Sequence, residues 1–136
     1  YQPTNTSIGN FVVGSEDDLK AMTVAAHAHG IRIIVDVVAN HFTADWNAID
    51  SDWQKSEYFH ARNSCSGSGG DNIDYSNRWQ VTHCHLLGLW DLNTANPEVA
   101  NRMHDFLKTA VNDGVDGFRF DAGKHVELPN EFDGSQ

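Results

Sequence analysis

Apolar residues recur at helical spacing in two stretches of the chain. The first stretch begins at Ser15, which is followed by three acidic residues, and it ends at Gly30. The second begins with Asn96 and Pro97, an N-cap residue followed by a proline at the first helical position, and it ends at Gly114. The spacing predicts an amphipathic helix in each stretch. The apolar face of the first helix comprises Leu19, Met22, Ala25, Ala26 and His29.

Each predicted helix is followed by a short apolar run. Residues 31–38 are apolar apart from Arg32 and Asp36, and residues 115–120 form a second run of this kind. A continuous rather than alternating run is typical of a parallel strand that is buried on both faces. Since a helix lies between the two strands, the order predicts a parallel crossover in an α/β sheet or barrel.

The long segment between the first strand and the second helix has a different character. It contains four tryptophans, a Gly/Ser-rich stretch and little helical periodicity. Because a connection of this length is unusual unless it has a role of its own, we interpret it as an inserted subdomain with Trp46 and Trp53 in its core. The predicted division is residues 1–41, the insertion 42–95, and residues 96–136.

Composition and charge restrict the possible partners. The 136 residues carry a formal charge of −10 at pH 7, which argues against a nucleic acid or an anionic membrane as partner. No apolar run approaches the roughly 20 residues of a membrane span. A neutral or cationic ligand, including a metal ion, is favoured. The chain begins at Tyr1 and stops in a polar stretch at Gln136, so we expect it to be a piece of a longer protein.

The two cysteines allow two interpretations. Cys65 lies in the flexible Gly/Ser-rich stretch, and Cys84 follows it 19 positions later (84 − 65). A disulfide between them would close a loop of about 20 residues, stabilise the fold by roughly 3 kcal/mol and indicate an oxidising compartment. Two unrelated free thiols are the alternative, and the cysteine count does not exclude it.

Polar residues cluster where each predicted strand ends. The end of the first strand carries Asp36, Asn40 and His41. The end of the second strand carries Arg119, Asp121, Lys124 and His125. In a barrel these ends share one face, where active sites lie. Arg119 and Asp121 are two apart and so point to the same side of a strand. An aspartate held ionised by a neighbouring arginine is a candidate nucleophile, and a purely structural ion pair is the alternative.

These segments resemble a known family. Residues 36–41 and 117–125 are similar to two signature segments of the α-amylase family of retaining glycoside hydrolases, and residues 88–93 are similar to a third. Residues 1–3 resemble the substrate loop that follows the second barrel strand. The four motifs occur in order across essentially the whole chain. The resemblance implies part of a TIM (β/α)8 barrel, the region of strands 3 and 4, with a loop-rich domain B inserted after strand 3.

The resemblance also implies roles for individual residues. Asp121 matches the catalytic nucleophile, and Arg119 matches the arginine that orients it and keeps it ionised. Asp36 matches an acid that supports the site without doing chemistry. The implied substrate contacts are Tyr1, His41, Tyr75, Lys124 and His125.

A structural calcium ion and a disulfide are implied in the same way. The calcium ligands match the side chains of Asn40 and Asp91 and the backbone oxygens of Thr82 and His125, and calcium favours such oxygen sets. In some members the arginine at position 119 also helps to bind chloride. The spacing of Cys65 and Cys84 resembles the domain B disulfide of extracellular amylases, which implies secretion.

The expected function is that of an α-amylase acting on internal α-1,4 bonds of starch or glycogen, with the full-length enzyme a monomer. A retaining mechanism needs a second carboxyl group as acid/base, and we do not assign that role to Glu127 or Glu131, because they follow Asp121 too closely. The isolated chain is therefore expected to be inactive. Two alternatives remain, a transglycosylase of the same superfamily and a non-catalytic relative that binds calcium or glycans. We assign no role to the remaining histidines and interpret them as surface or subdomain residues (His27, His60, His83, His85 and His104).

Overall fold

The computed structural model of the chain describes residues 1–129 and residue 131. The helices are α1 (Glu16–Ala28), α2 (Arg78–His83) and α3 (Pro97–Asn112). The strands are β1 (Ile34–Val37), β2 (His41–Phe42), β3 (Trp90–Asp91) and β4 (Gly117–Phe120). Asn130 and residues 132–136 of the predicted final loop lie outside the described residues. Among the described residues, no helix has both the length and the apolar character that a membrane crossing requires.

Both predicted helices start where their capping residues indicated. The Ser15 hydroxyl accepts a hydrogen bond from Asp18 N at 3.2 Å, and the Asp18 carboxylate accepts one from Ser15 N at 2.7 Å. The Asn96 side chain accepts a hydrogen bond from Glu98 N at 2.9 Å. Each pair satisfies backbone N–H groups that have no partner within the first turn of a helix.

A close contact behind Gly114 fixes α1 against the end of α3. Thr23 donates a hydrogen bond from its hydroxyl to the carbonyl of Asp113 at 2.6 Å. A Cβ atom at Gly114 would lie only 2.7 Å from that hydroxyl oxygen, and the residue has a φ of +92°. Glycine is therefore required here both by the left-handed backbone and by the close approach.

Strands β1 and β4 pair in parallel and α3 precedes β4, which confirms the predicted crossover. The register places Asp36 beside Arg119 and Val37 beside Phe120. β1 is shorter than the predicted run of residues 31–38, because the Asp116 side chain accepts the N–H of Ile33 at 2.7 Å. Regular pairing therefore begins only at Ile34.

The prediction that these strands are buried on both faces is wrong for this chain. Val37 is buried, but Ile34 is 59% and Phe120 is 49% exposed. The apolar face predicted for α1 is also largely uncovered, since Met22 is 49% exposed and Thr23 is the buried residue of the helix. A sheet of two strands has too few neighbouring elements to cover both of its faces.

The main hydrophobic core lies in the predicted insertion. It combines aromatic and aliphatic side chains, with Phe42 and Trp53 meeting edge to face at a centroid distance of 4.9 Å. Trp46 packs against this core, as predicted, and so does Met103 of α3. Because Val99 of α3 is also a core residue, the insertion and the helix share one core. The buried members are Phe42, Ile49, Trp53, Tyr58, Phe59, Leu92 and Val99.

Two further links hold the insertion together. Cys65 and Cys84 form a disulfide with a Cα–Cα distance of 5.6 Å, so the free-thiol alternative is excluded. β2 and β3 pair antiparallel and place His41 beside Asp91. Residues from the two ends of the insertion are thereby brought next to the end of β1.

The shared core makes a specific prediction about stability. Phe42 is 0% exposed, so Phe42→Ala in the full-length protein should lower the free energy of unfolding by about 3–5 kcal/mol, because it leaves a cavity. Phe11 is fully exposed, and Phe11→Ala is the matched control, with an expected change within about 0.5 kcal/mol. Urea unfolding followed by tryptophan fluorescence measures both. Equal effects of the two substitutions would contradict the assignment of the core.

Candidate active site

The polar ends of β1 and β4 meet in one ion-pair network. Arg119 donates from Nη1 to both carboxylate oxygens of Asp36, at 2.9 and 3.0 Å, and to Oδ1 of Asp121 at 2.8 Å. Tyr1 donates its hydroxyl hydrogen to Oδ2 of Asp36 at 2.7 Å. The prediction that Arg119 and Asp121 share one face is confirmed, and Asp36 has two polar partners, Arg119 and Tyr1.

These contacts shift the protonation equilibria around the site. The pKa of Asp36 is lowered, chiefly by the hydrogen bond from Arg119 and then by the one from Tyr1. The pKa of Arg119 is raised by the same bond to Asp36 and by the bond to Asp121. The pKa of the Tyr1 hydroxyl is raised because it donates to the Asp36 carboxylate. At neutral pH the network therefore holds an ionised Asp36 beside a permanently charged Arg119.

Two of the predicted substrate contacts, His41 and His125, are buried. The pKa of His41 is lowered, chiefly by burial. His125 has its pKa lowered by burial, and its Nδ1 lies 2.6 Å from the carbonyl oxygen of Val81. Since a carbonyl only accepts, His125 Nδ1 carries the hydrogen in this contact.

Tyr75 and Lys124 lie beside His125 at the surface. The Tyr75 ring meets the His125 ring edge to face at a centroid distance of 5.9 Å. The ammonium of Lys124 is 4.3 Å from the centre of the Tyr75 ring, close enough for a cation–π contact. Three of the five predicted substrate contacts therefore form one cluster. Tyr1 lies with Asp36 in the ion-pair network, and His41 lies beside Asp91 in the β2–β3 pair.

The predicted calcium ligands Asn40 and Asp91 are brought together in the interior. Asn40 donates from Nδ2 to Oδ1 of Asp91 at 3.0 Å, and the other Asp91 oxygen lies 2.7 Å from Nδ1 of His60. Asp91 is 1% exposed, and burial raises its pKa well above the usual range. A carboxylate this deeply buried costs free energy unless a cation or a set of donors offsets its charge.

The two backbone ligands predicted for calcium also lie in the interior. Thr82 and His125 are both buried, and the contact between His125 and the Val81 carbonyl joins the end of α2 to the loop after β4. Among the described residues, the carbonyl oxygens of Thr82 and His125 accept no hydrogen bond. Two such carbonyls and a buried carboxylate form an oxygen-rich set that fits calcium.

The sequence analysis did not find several polar residues that the fold uses. His60, His83 and His85 are buried, and Glu127 joins the insertion to the loop after β4 by accepting from Ala95 N at 2.9 Å. Arg78 secures the same loop by donating to Glu131 and to the carbonyls of Lys124 and Val126. His83 and His85 flank a disulfide cysteine, and that position was a sequence signal of their burial.

Comparisons with known proteins agree with this geometry. Residues 9–136 match the model of the α-amylase catalytic domain. An α-amylase from Clostridium acetobutylicum is 38% identical over 133 residues, which are 93% of this chain and 16% of that protein. An α-amylase from Butyrivibrio fibrisolvens is 34% identical, over 96% of this chain and 13% of its own length.

Solved structures give the same result for the fold. α-Amylase I from Eisenia fetida superposes with a TM-score of 0.82 at 31% identity, over 93% of this chain and 28% of that protein. A variant of the same enzyme in complex with maltohexaose gives the same values. The chain thus spans about a quarter or less of the relatives it matches. It belongs to the α-amylase family and forms part of that family's TIM-barrel catalytic domain.

Proposed function

We propose that this chain is part of an α-amylase that cleaves internal α-1,4 bonds of starch or glycogen with retention of configuration. The supporting observation is the position of Asp121, which follows β4 and accepts a hydrogen bond from Arg119 at 2.8 Å. A retaining glycosidase needs an ionised carboxylate at such a strand end as its nucleophile. The maltohexaose complex of the Eisenia fetida enzyme supports an α-glucan as the substrate.

Asp121 acts on the anomeric carbon of the sugar. One carboxylate oxygen forms an ester bond to that carbon while the glycosidic C–O bond breaks and the leaving oxygen takes a proton from the acid/base. Water then attacks the same carbon, returns its proton to the acid/base and releases Asp121. Arg119 holds the Asp121 carboxylate in position, and Asp36 holds Arg119 through two hydrogen bonds.

The acid/base is expected to lie outside this chain. Arg119 and Tyr1 lower the pKa of Asp36, so Asp36 does not keep a proton to donate at neutral pH. Arg78 lowers the pKa of Glu131 to about 2. The Glu127 carboxylate contacts Ala95, Thr94 and His83. These contacts tie it to the insertion, so it does not act as the acid/base.

The substrate contacts combine exposed and buried side chains. Tyr1 is 73% exposed, which suits stacking on a sugar while its hydroxyl bonds to Asp36. His125 donates from Nδ1 to a backbone carbonyl, which leaves Nε2 to bond a sugar hydroxyl. Among the described residues, His41 Nε2 has no hydrogen-bond partner, so it too can bond a sugar hydroxyl. Lys124 and Tyr75 extend the site on the side of the insertion.

We also infer that Asn40, Asp91, Thr82 and His125 bind a structural calcium ion and that the protein is secreted. Calcium offsets the charge of the buried Asp91 carboxylate and joins the insertion to the barrel. The Cys65–Cys84 disulfide supports secretion, because such bonds persist in oxidising compartments. A monomer and chloride binding at Arg119 remain predictions from the family resemblance.

Asp121→Asn in the full-length enzyme should lower kcat on soluble starch by roughly 10⁴-fold or more, because an amide cannot form the glycosyl ester. Binding of maltohexaose, measured by titration calorimetry, should persist. Asp105→Asn on the exposed face of α3 is the control and should leave kcat unchanged. Unaltered turnover in Asp121→Asn would refute its role, and cyclic or transferred products from the wild type would identify a transglycosylase.

The isolated 136-residue chain should not hydrolyse starch, because among the described residues Asp36, Glu127 and Glu131 are not suited to the acid/base role. Reducing-sugar release measures this, with circular dichroism to follow folding. A cooperative thermal transition accompanied by starch hydrolysis would show that the chain carries a complete catalytic site.

Calcium binding is tested with Asp91→Asn. The variant should bind calcium at least about tenfold more weakly, because one negative ligand is lost. In excess calcium it should melt below the wild type. In chelator it should melt at or above the wild type, because a buried amide costs less than a buried carboxylate. Wild-type calcium affinity in the variant would rule out Asp91 as a ligand.

A further inference from the structure

Three buried side chains belong to neither the proposed catalytic site nor the proposed calcium site. They converge where the insertion meets the loop after β4. His60, His83 and Glu127 place one potential ligand atom each within 4.8 Å of the others. His83 Nε2 and Glu127 Oε1 are 3.5 Å apart. All three side chains are more than nine-tenths buried, with exposures of 8%, 5% and 7%.

The inner atoms of the three side chains face one another because the outer atoms are already held. His60 Nδ1 lies 2.7 Å from Oδ2 of Asp91. His83 Nδ1 lies 2.8 Å from the hydroxyl oxygen of Thr82 and 3.1 Å from the carbonyl oxygen of Trp79, so Nε2 is the ring nitrogen that lies toward Glu127. Glu127 Oε2 accepts from Ala95 N at 2.9 Å and from Thr94 Oγ1 at 3.2 Å.

Such outer contacts are typical of metal ligands. A metal-bound histidine usually donates its second N–H to a carboxylate or a carbonyl, and a ligating carboxylate is itself hydrogen-bonded. His60 has the carboxylate partner and His83 the carbonyl partner. The rings are further fixed by stacking, since His83 lies between Trp79 and His60 at centroid distances of 4.5 and 4.2 Å.

We propose that His60, His83 and Glu127 bind a divalent transition metal ion, with Zn²⁺ as the first candidate. Two imidazole nitrogens and one carboxylate oxygen are a set that zinc accepts, whereas calcium favours oxygen ligands. Ligand atoms around tetrahedral zinc are about 3.3 Å apart, so the trio closes by at most about 1.5 Å on binding. Water completes the coordination.

The proposed zinc ion would link the insertion to the barrel, in addition to the proposed calcium ion. His60 and His83 belong to the insertion, and Glu127 lies on the loop that follows β4. Asp91 connects the two metal sites, because it orients His60 through one oxygen and lies beside Asn40 through the other. The zinc site does not depend on the catalytic proposal.

Zinc binding is measured on the full-length protein after chelator treatment and return to excess calcium. Equilibrium dialysis against Zn²⁺ with elemental analysis should show one tightly held zinc per chain, together with retained calcium and a raised melting temperature. Co²⁺ in place of Zn²⁺ should give visible absorption bands of a site with nitrogen and oxygen ligands.

Three variants locate the ion. His83→Gln and Glu127→Gln should each weaken zinc binding by at least about tenfold while calcium stays bound. His104→Gln, the same change at an exposed histidine of α3, should leave zinc binding unchanged. If His83→Gln fails to fold, as judged by circular dichroism, Glu127→Gln decides, because its amide oxygen can still accept from Ala95.

Three results would overturn the proposal. The first is the absence of bound zinc in excess calcium. The second is zinc binding that His83→Gln and Glu127→Gln leave unchanged, which would place the ion elsewhere. The third is loss of both metals in Glu127→Gln, or displacement of zinc by calcium, because either would indicate one shared site.

Discussion

The arrangement of the catalytic end of this chain depends on one guanidinium group shared by two carboxylates. Arg119 lies beside Asp36 because β1 and β4 pair in parallel with these residues in register. The same nitrogen, Nη1, donates to Asp121, which follows the strand. The register of the sheet therefore fixes the position of the candidate nucleophile. A shift by one residue would turn Asp36 to the other face of the sheet and leave Arg119 with one carboxylate instead of two.

A second constraint comes from burying acidic groups in the insertion. Asp91 is almost completely removed from water, and the side chains around it are neutral or polar rather than cationic. Two proposed metal ions would offset this charge. One is a calcium ion among oxygen ligands, and the other is a zinc ion bound by His60, which contacts Asp91. Both would join the insertion to the loop after β4, where His125 and Glu127 lie. The proposed metal binding and the proposed substrate binding would be linked, because His125 is a candidate for both.

The sequence analysis was accurate where signals were local. Ser15, Asn96 and Pro97 placed the helix starts correctly, because capping depends on residues within one turn. The spacing of Arg119 and Asp121 was sufficient to place them on one face. Burial was predicted wrongly, since both faces of β1 and the apolar face of α1 were expected to be covered and are not. Burial depends on which elements pack against a face, and a pattern of apolar residues states only which face could be covered.

The sequence by itself determined the two long helices, the parallel crossover, the family and the identity of the candidate nucleophile, because these follow from spacing and from motifs. The short helix α2 was not predicted. Only the tertiary structure decided that His60 meets Asp91 and that Glu127 meets His83. These contacts join residues that are 31 and 44 positions apart (91 − 60 and 127 − 83). A long loop can close in many ways, so its side-chain contacts are set by packing of the shared aromatic core rather than by any local pattern.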